Sequence, residues 1–296
     1  MKNIVLLISC FISFSLAAQD GRKPEAYMVG KYEVYILSEG SGEGNTGILI
    51  DAPQDVLSEY VPDGAFPIAT NAVLVRDGNK VWLIDTGYGR NIFDQMEAVG
   101  VSPEGVHYII LTHLHGDHIG GMLRDGEKTF PNALVAVSRK EYDYWTSDEE
   151  MHRLPENRRG NFLPAREVLE KYEAKLDILD ENIIGSVTDE NPRAGFLRAY
   201  GHTPGHVMFL IKDGGEQLLI WGDLTHAMAV QMPRPEISVT YDHDPDMARK
   251  SRQEVLGYAS ANKIPVTGMH LPAPKIGTVV EKHGGGYDFI PVGLRK

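Results

Sequence analysis

The run Val106-His107-Tyr108-Ile109-Ile110-Leu111-Thr112-His113-Leu114-His115-Gly116-Asp117-His118-Ile119-Gly120-Gly121 decides how the rest of the chain is read. Residues 106–112 are apolar and rich in β-branched types, the composition of a buried strand. The run passes directly into two histidines one residue apart, then an aspartate and a third histidine. Four metal-competent side chains therefore stand on a single tight loop at a strand end. Gly116 and the Gly120-Gly121 pair, without Cβ atoms, let the backbone turn closely around a bound group. Imidazole and carboxylate donors suit zinc, iron, manganese or cobalt. The single cysteine, Cys10, lies in the N-terminal leader, so a mature chain has no thiolate ligand and no disulfide.

Donor-type residues recur further along, each just past an apolar run. Gly201-His202-Thr203-Pro204-Gly205-His206 follows residues 196–200, Gly222-Asp223 follows 217–221, and Gly268-Met269-His270 follows 264–267. Other short Val/Ile/Leu-rich runs at 71–76, 80–85, 133–137 and 206–211 read as strands. Asp77-Gly78-Asn79 and Asp213-Gly214-Gly215 are hairpin signals. Helical patterns interleave at 92–99, 138–146, 164–175 and 245–262, the last with Asp244 or Asp246 as cap. Hairpins mixed with helices imply a layered α/β or α+β fold with mixed sheets. No Pro/Ser-rich linker, repeat or low-complexity tract divides the chain, which reads as one domain over residues 19–296.

The composition, 42% hydrophobic and 24% charged, is that of an ordinary globular protein. Lys2 precedes an apolar stretch over residues 4–16 that ends in Ala17-Ala18-Gln19, the layout of a signal peptide over residues 1–18. The stretch falls short of the roughly 20 residues that span a bilayer, so a stable membrane anchor is not expected. The expected location is periplasmic or secreted. The formal charge of −12 becomes one unit more negative when Lys2 is removed, and such a surface repels phosphate backbones and anionic lipid. Nucleic acid is therefore not an expected partner, and a small molecule is.

Order, spacing and residue types resemble the metallo-β-lactamase superfamily over roughly residues 65–295, with Asp85-Thr86-Gly87 similar to that superfamily's first motif. The resemblance implies an αββα sandwich: two mixed sheets flanked by helices, with the site at one edge between them. It implies two divalent ions, zinc first among them with manganese, cobalt or iron as others. His113, His115 and His202 would hold one ion, Asp117, His118 and His270 the other, and Asp223 would bridge them. Asp85 would orient a ligand, and His206 would be a supporting residue beside His202. Within the superfamily, Trp221-Gly222-Asp223-Leu224-Thr225-His226, Val230-Gln231, Tyr241-Asp242-His243-Asp244, His270 to Gly277 and Gly286-Tyr287 look like the branch of methyl-parathion hydrolases and related lactonases. One departure is Leu271-Pro272-Ala273-Pro274-Lys275, where a Phe-Pro turn is expected. This segment would border the pocket and argues against aryl-phosphate specificity.

His107, His152, His243 and His283 lack ligand-like context and read as surface or satisfied core residues. Trp145 and Phe162 either wall an apolar pocket, as similar aromatics do in that branch, or pack in the core. Two divalent ions sharing a water can lower its pKa from 15.7 to about 7, so attack needs no Ser or Cys nucleophile. The expected substrate is a lactone or another uncharged ester, acyl-homoserine lactones included, with organophosphate triesters as alternative. Asp117 would orient the attacking oxygen. His226, three residues past Asp223, would either donate to the leaving alkoxide or steady Asp223. A β-lactamase and an iron-dependent persulfide dioxygenase are weaker rivals, and the oligomeric state, a homodimer included, is left open.

Overall fold

The computed structural model describes Pro24, residues 26–189 and residues 195–293; the leader reading, residues 1–18, lies outside them. Two large sheets are built in chain order. The first has seven strands, in the spatial order Tyr27–Val29, Tyr32–Asn45, Ala65–Asp77, Lys80–Ile84, Tyr108–Ile110, Leu134–Ser138 and Leu176–Leu179. The second has six: Gly195–Arg198, Val207–Asp213, Glu216–Ile220, Pro265–Thr267, Gly277–Glu281 and Tyr287–Pro291. Both are mixed. The first is antiparallel up to Lys80–Ile84 and parallel beyond it, whereas the second is parallel only between Glu216–Ile220 and Pro265–Thr267.

Alternation along the strands assigns the layers, because successive strand side chains point to opposite faces. Val73 and Val75 face inward with Ile84, Ile110 and Ala136, and meet Val207, Ile211, Leu218 and Ile220 of the other sheet. Ala72 and Leu74 face outward, where Ile92, Met96, Phe162, Val168 and Leu169 of the flanking helices cover them. On the far side Met208, Leu210, Leu219 and Val266 pack under Val255, Leu256 and Ala259 of helix Pro245–Ala261. Helix, sheet, sheet, helix is the αββα sandwich expected from the resemblance. Each fully buried aliphatic side chain contributes roughly 1.5–3 kcal/mol.

Both hairpin signals form turns, joining Asp77 to Lys80 and Asp213 to Glu216 as paired residues. Asp244 caps the long helix, accepting from the Met247 amide at 3.0 Å. The strand expected at 106–112 is confined to Tyr108–Ile110. The helix expected at 164–175 is Phe162–Tyr172; Pro164 is tolerated there because first-turn amides have no partner inside a helix. Strand Tyr32–Asn45 was not anticipated, since its Gly/Ser/Glu-rich second half reads as loop. It nevertheless pairs along Ala65–Asp77, with a register shift between Ser38 and Gly40. Between these strands, helix Gln54–Tyr60 packs Val56 against Ala227 and Val230.

Candidate metal centre

The donor residues follow the carboxyl ends of strands in both sheets. Asp85 follows Lys80–Ile84 and His113 follows Tyr108–Ile110 in the first; His202 follows Gly195–Arg198, Asp223 follows Glu216–Ile220 and His270 follows Pro265–Thr267 in the second. The tight loop expected after Thr112 is partly helical. His115 precedes the short helix Gly116–Ile119, which carries Asp117 and His118. Gly116 proves dispensable for close approach, since an added Cβ there would be in ordinary contact, 3.5 Å from Asn161 Oδ1. Gly120 and Gly121 are not: a Cβ on Gly121 would lie 2.6 Å from the Thr86 carbonyl, and one on Gly120 2.9 Å from Tyr88 Cα. That close approach lets the Thr86 amide donate to the His118 carbonyl at 2.7 Å, tying the Asp85-Thr86-Gly87 turn to the histidine loop.

The side chains converge as the resemblance implied. Ligand atoms of His113, His115, His202 and Asp223 lie within 4.8 Å of one another, as do those of Asp117, His118 and His270. Asp223 faces both groups. Its Oδ2 is 3.2 Å from His202 Nε2, 3.6 Å from His113 Nε2 and 3.1 Å from His270 Nε2, and its Oδ1 is 3.2 Å from His118 Nε2. A third group, Asp223, His226 and His270, also falls within 4.8 Å.

His113 Nε2, His118 Nε2 and Asp223 Oδ1 are buried without a hydrogen-bond partner among the described residues. An unpaired buried polar atom costs about 1–3 kcal/mol, and three at and around the Asp223 carboxylate, in an all-nitrogen-and-oxygen donor set, fit divalent cations. The electrostatics divide the donors. Burial, with the neighbouring imidazoles, pushes His113 and His115 well below the usual histidine range, leaving lone pairs free. Against the cost of burial, His118 and His270 draw the Asp223 carboxyl well below its usual range. Also against burial, Asp223 and Asp117 hold His270 up at about 10.

The supporting residues are equally specific. Fully buried Asp85 lies 2.7 Å from His118 Nδ1 and accepts from the Thr112 amide at 2.8 Å and its hydroxyl at 2.7 Å. That is where a residue orienting His118 would stand. His206 stands beside His202, ring centroids 5.9 Å apart, and its hydrogen bond goes to the Asp223 backbone. Its Nδ1 donates to the Ala199 carbonyl at 2.9 Å, which frees Nε2 to accept the Asp223 amide at 3.0 Å. His226 Nε2 lies 3.1 Å from Asp223 Oδ2, so the observed contact is with the central carboxylate. The ring also stacks on His270 at 4.8 Å and lines the cavity.

That cavity, about 470 Å³, opens onto Asp117, Asp223, His226 and His270. Trp145 lines it as one of its expected roles, whereas Phe162 does not and packs behind it, ring centroids 4.7 Å apart. His243 lines it too, beyond the bland role read from its context. None of Leu271 to Lys275 does: the wall stops at His270, so that segment does not border the pocket as expected. Ile48 and Ile68, brought in by the unanticipated strand pair, form an apolar wall, and Tyr88 and Tyr241 add phenols. Sequence reasoning also missed Glu141, fully buried, whose carboxylate accepts from the Leu114 amide at 3.1 Å and the Gly205 amide at 2.8 Å. It spans the two histidine loops. No local signal marks it, since a glutamate within a helix ordinarily faces water.

A four-layer αββα sandwich with histidine and carboxylate donors at facing strand ends defines a class of metal-binding proteins. The sequence profile of the metallo-beta-lactamase superfamily matches residues 65–262, and the chain belongs to that superfamily. Among solved structures it is similar to the hydrolase AbOPH of the beta lactamase superfamily, with 29% identity, a TM-score of 0.80, and 93% of this chain and 99% of that one covered. It is similar also to AidC, a dizinc quorum-quenching lactonase in complex with the product N-hexanoyl-L-homoserine, at 26% identity, TM-score 0.80 and the same coverage. The N-acyl homoserine lactonase AttM of Azorhizobium caulinodans is 32% identical over 126 residues, 40% of each chain. The AttM of Agrobacterium fabrum is 31% identical over 136 residues, 46% of this chain and 47% of the relative. The match thus spans less than half the length of these curated relatives.

Proposed function

We propose that the protein is a dinuclear metal-dependent hydrolase of lactones or other uncharged carboxylic esters, with acyl-homoserine lactones the favoured class. One observation carries the reading: Asp223 stands between two groups of donors at the floor of a cavity sized for a small ligand. His113, His115 and His202 would hold one ion, Asp117, His118 and His270 the other, and Asp223 would touch both. Divalent ions so held, zinc being the best fit to the donors, supply a Lewis acid for the ester carbonyl and a water of lowered pKa.

The chain's own residues do the rest. Ile48, Ile68 and Trp145 offer an apolar wall for an acyl group and exclude water from it. Asp117 is part-exposed at the cavity floor and orients the attacking oxygen. His226 steadies Asp223 through Nε2, and its place on the cavity wall allows contact with the leaving oxygen. The acidic surface, −12 in formal charge, disfavours polyanionic substrates. Among the described residues no helix is long and apolar enough to cross a membrane. The apolar leader ending in Ala17-Ala18-Gln19 supports an extracytoplasmic site of action.

The test is a substrate panel on metal-replete protein: an acyl-homoserine lactone, an aryl ester, a phosphotriester and a β-lactam. The lactone should give the highest kcat/KM; a phosphotriester or β-lactam exceeding it would replace this reading. Oxygen uptake with a persulfide would move the chain to the dioxygenase class. Mass spectrometry of exported protein should find a new N-terminus near Ala18 or Gln19.

A further inference from the structure

Tyr241-Asp242-His243-Asp244, noted in the sequence only as part of a branch resemblance, surrounds His202 from behind. His202 Nε2 faces the donor cluster, 3.2 Å from Asp223 Oδ2. Its other ring nitrogen, Nδ1, lies 3.0 Å from Asp242 Oδ1. Asp242 is 2% exposed, and its second oxygen accepts the Val239 amide at 3.1 Å and lies 3.5 Å from Arg252 Nη2. Arg252 is itself 1% exposed, two turns into helix Pro245–Ala261. Three further hydrogens go to carbonyls: Nε to Leu224 at 2.8 Å, and Nη1 to Pro235 at 3.0 Å and Ile237 at 2.9 Å.

We propose that Asp242, braced by the buried Arg252, is a positioning residue that fixes the ring orientation and tautomer of His202. The inference rests on the reading of His202 as a metal ligand. A carboxylate on Nδ1 keeps the proton there and leaves the Nε2 lone pair directed into the centre, the arrangement by which an outer carboxylate sets a ligand histidine. The same stretch also holds the backbone of His202 and its neighbour. The His243 amide donates to the His202 carbonyl at 3.0 Å, and the Asp244 amide to the Gly201 carbonyl at 2.9 Å. Arg252 reaches the other side of the site as well, because Leu224, whose carbonyl it holds, directly follows Asp223. One guanidinium thus fixes the backbone beside the central carboxylate and the partner of a ligand imidazole. Burying a full positive charge is costly unless it is paired and fully hydrogen-bonded, and apolar packing would secure the helix more simply. The charge is placed where it holds the Asp242 carboxylate in position.

Asp242→Asn is the discriminating variant. Asp242 only accepts, from Nδ1 of His202, the Val239 amide and Arg252. An asparagine must turn its NH2 toward one of those donors, so the His202 contact or its brace is lost. Zinc affinities of metal-free protein, measured by competition with a chelating dye, should show one of the two binding steps weakened about 10–100-fold. The visible absorption of the cobalt-substituted protein should change with it. On a His202→Ala background the same substitution should add no further loss of affinity. Arg252→Lys, which keeps the charge and Asp242 itself, should weaken the same step by less, and serves if Asp242→Asn does not fold. Unchanged affinities and cobalt spectra in the folded variants, with only a lower unfolding midpoint, would overturn the proposal. Were His202→Ala to leave both wild-type affinities intact, the metal assignment of His202 would fail instead.

Discussion

Replacing Asp85 by alanine removes three contacts at once: to His118 Nδ1 at 2.7 Å, the Thr112 amide at 2.8 Å and the Thr112 hydroxyl at 2.7 Å. The hydroxyl has another partner within reach, His113 Nδ1 at 3.1 Å. The amide and the imidazole do not. Two buried donors left unpaired cost about 1–3 kcal/mol each. Asp85 also has φ 56°, in the left-handed region, where alanine adds roughly 1–2 kcal/mol. The expected loss for Asp85→Ala is thus about 3–8 kcal/mol, a large part of the roughly 5–15 kcal/mol of a typical domain. Asp85→Asn isolates the orienting role, because asparagine tolerates that backbone and keeps one acceptor oxygen. It should cost about 1–2 kcal/mol in stability and about 10–100-fold in affinity for one metal. Urea unfolding of the metal-free protein reads the first quantity and zinc competition the second. If Asp85→Asn bound both metals as tightly as the wild type, the orientation of His118 by Asp85 would be wrong.

Three further outcomes are expected. Asp223→Ala removes the carboxylate that, among the described residues, faces both donor groups, so metal content should fall from about two per chain and hydrolysis should fall with it; two retained metals with full turnover would contradict this. Chelation should abolish hydrolysis reversibly, with zinc, manganese or cobalt restoring it, and activity surviving exhaustive metal removal would exclude the mechanism. His226→Phe breaks the 3.1 Å contact with Asp223. It should lower metal affinity if the imidazole only supports the carboxylate, or lower kcat by about 10²–10⁴ with two metals bound if it reaches the substrate; no change in either would remove His226 from the site.

Much of the donor set was legible because its signals are local. His113 to His118 share one stretch, and His202, Asp223 and His270 each stand just past a short apolar run, so strand ends could be read as site positions without knowing how the strands pair. What escaped depends on contacts distant in sequence. Asp242 meets His202 across 40 positions, and Glu141 meets Gly205 across 64. Strand Tyr32–Asn45 hid for another reason: its far half has no alternating apolar pattern, and the Ala65–Asp77 backbone alone defines it as strand. The cavity wall it helps to make was invisible with it. His206 was placed beside His202 by sequence order, which could not show that its hydrogen bond goes to the Asp223 backbone.

The donors are divided between the sheets: His113, His115, Asp117 and His118 belong to the seven-stranded half, and His202, Asp223 and His270 to the six-stranded half. Neither half holds a complete donor group for the first ion or the second. During synthesis the first sheet can be finished while the residues that complete the centre are still unmade. With the donors so divided, capture of the two proposed ions would come late in assembly, after the two halves have closed on each other. Once captured, the ions would add to the packing and hydrogen bonds that already join the halves, among them Asn71 to Met269 and the Leu49–Val239 bridge.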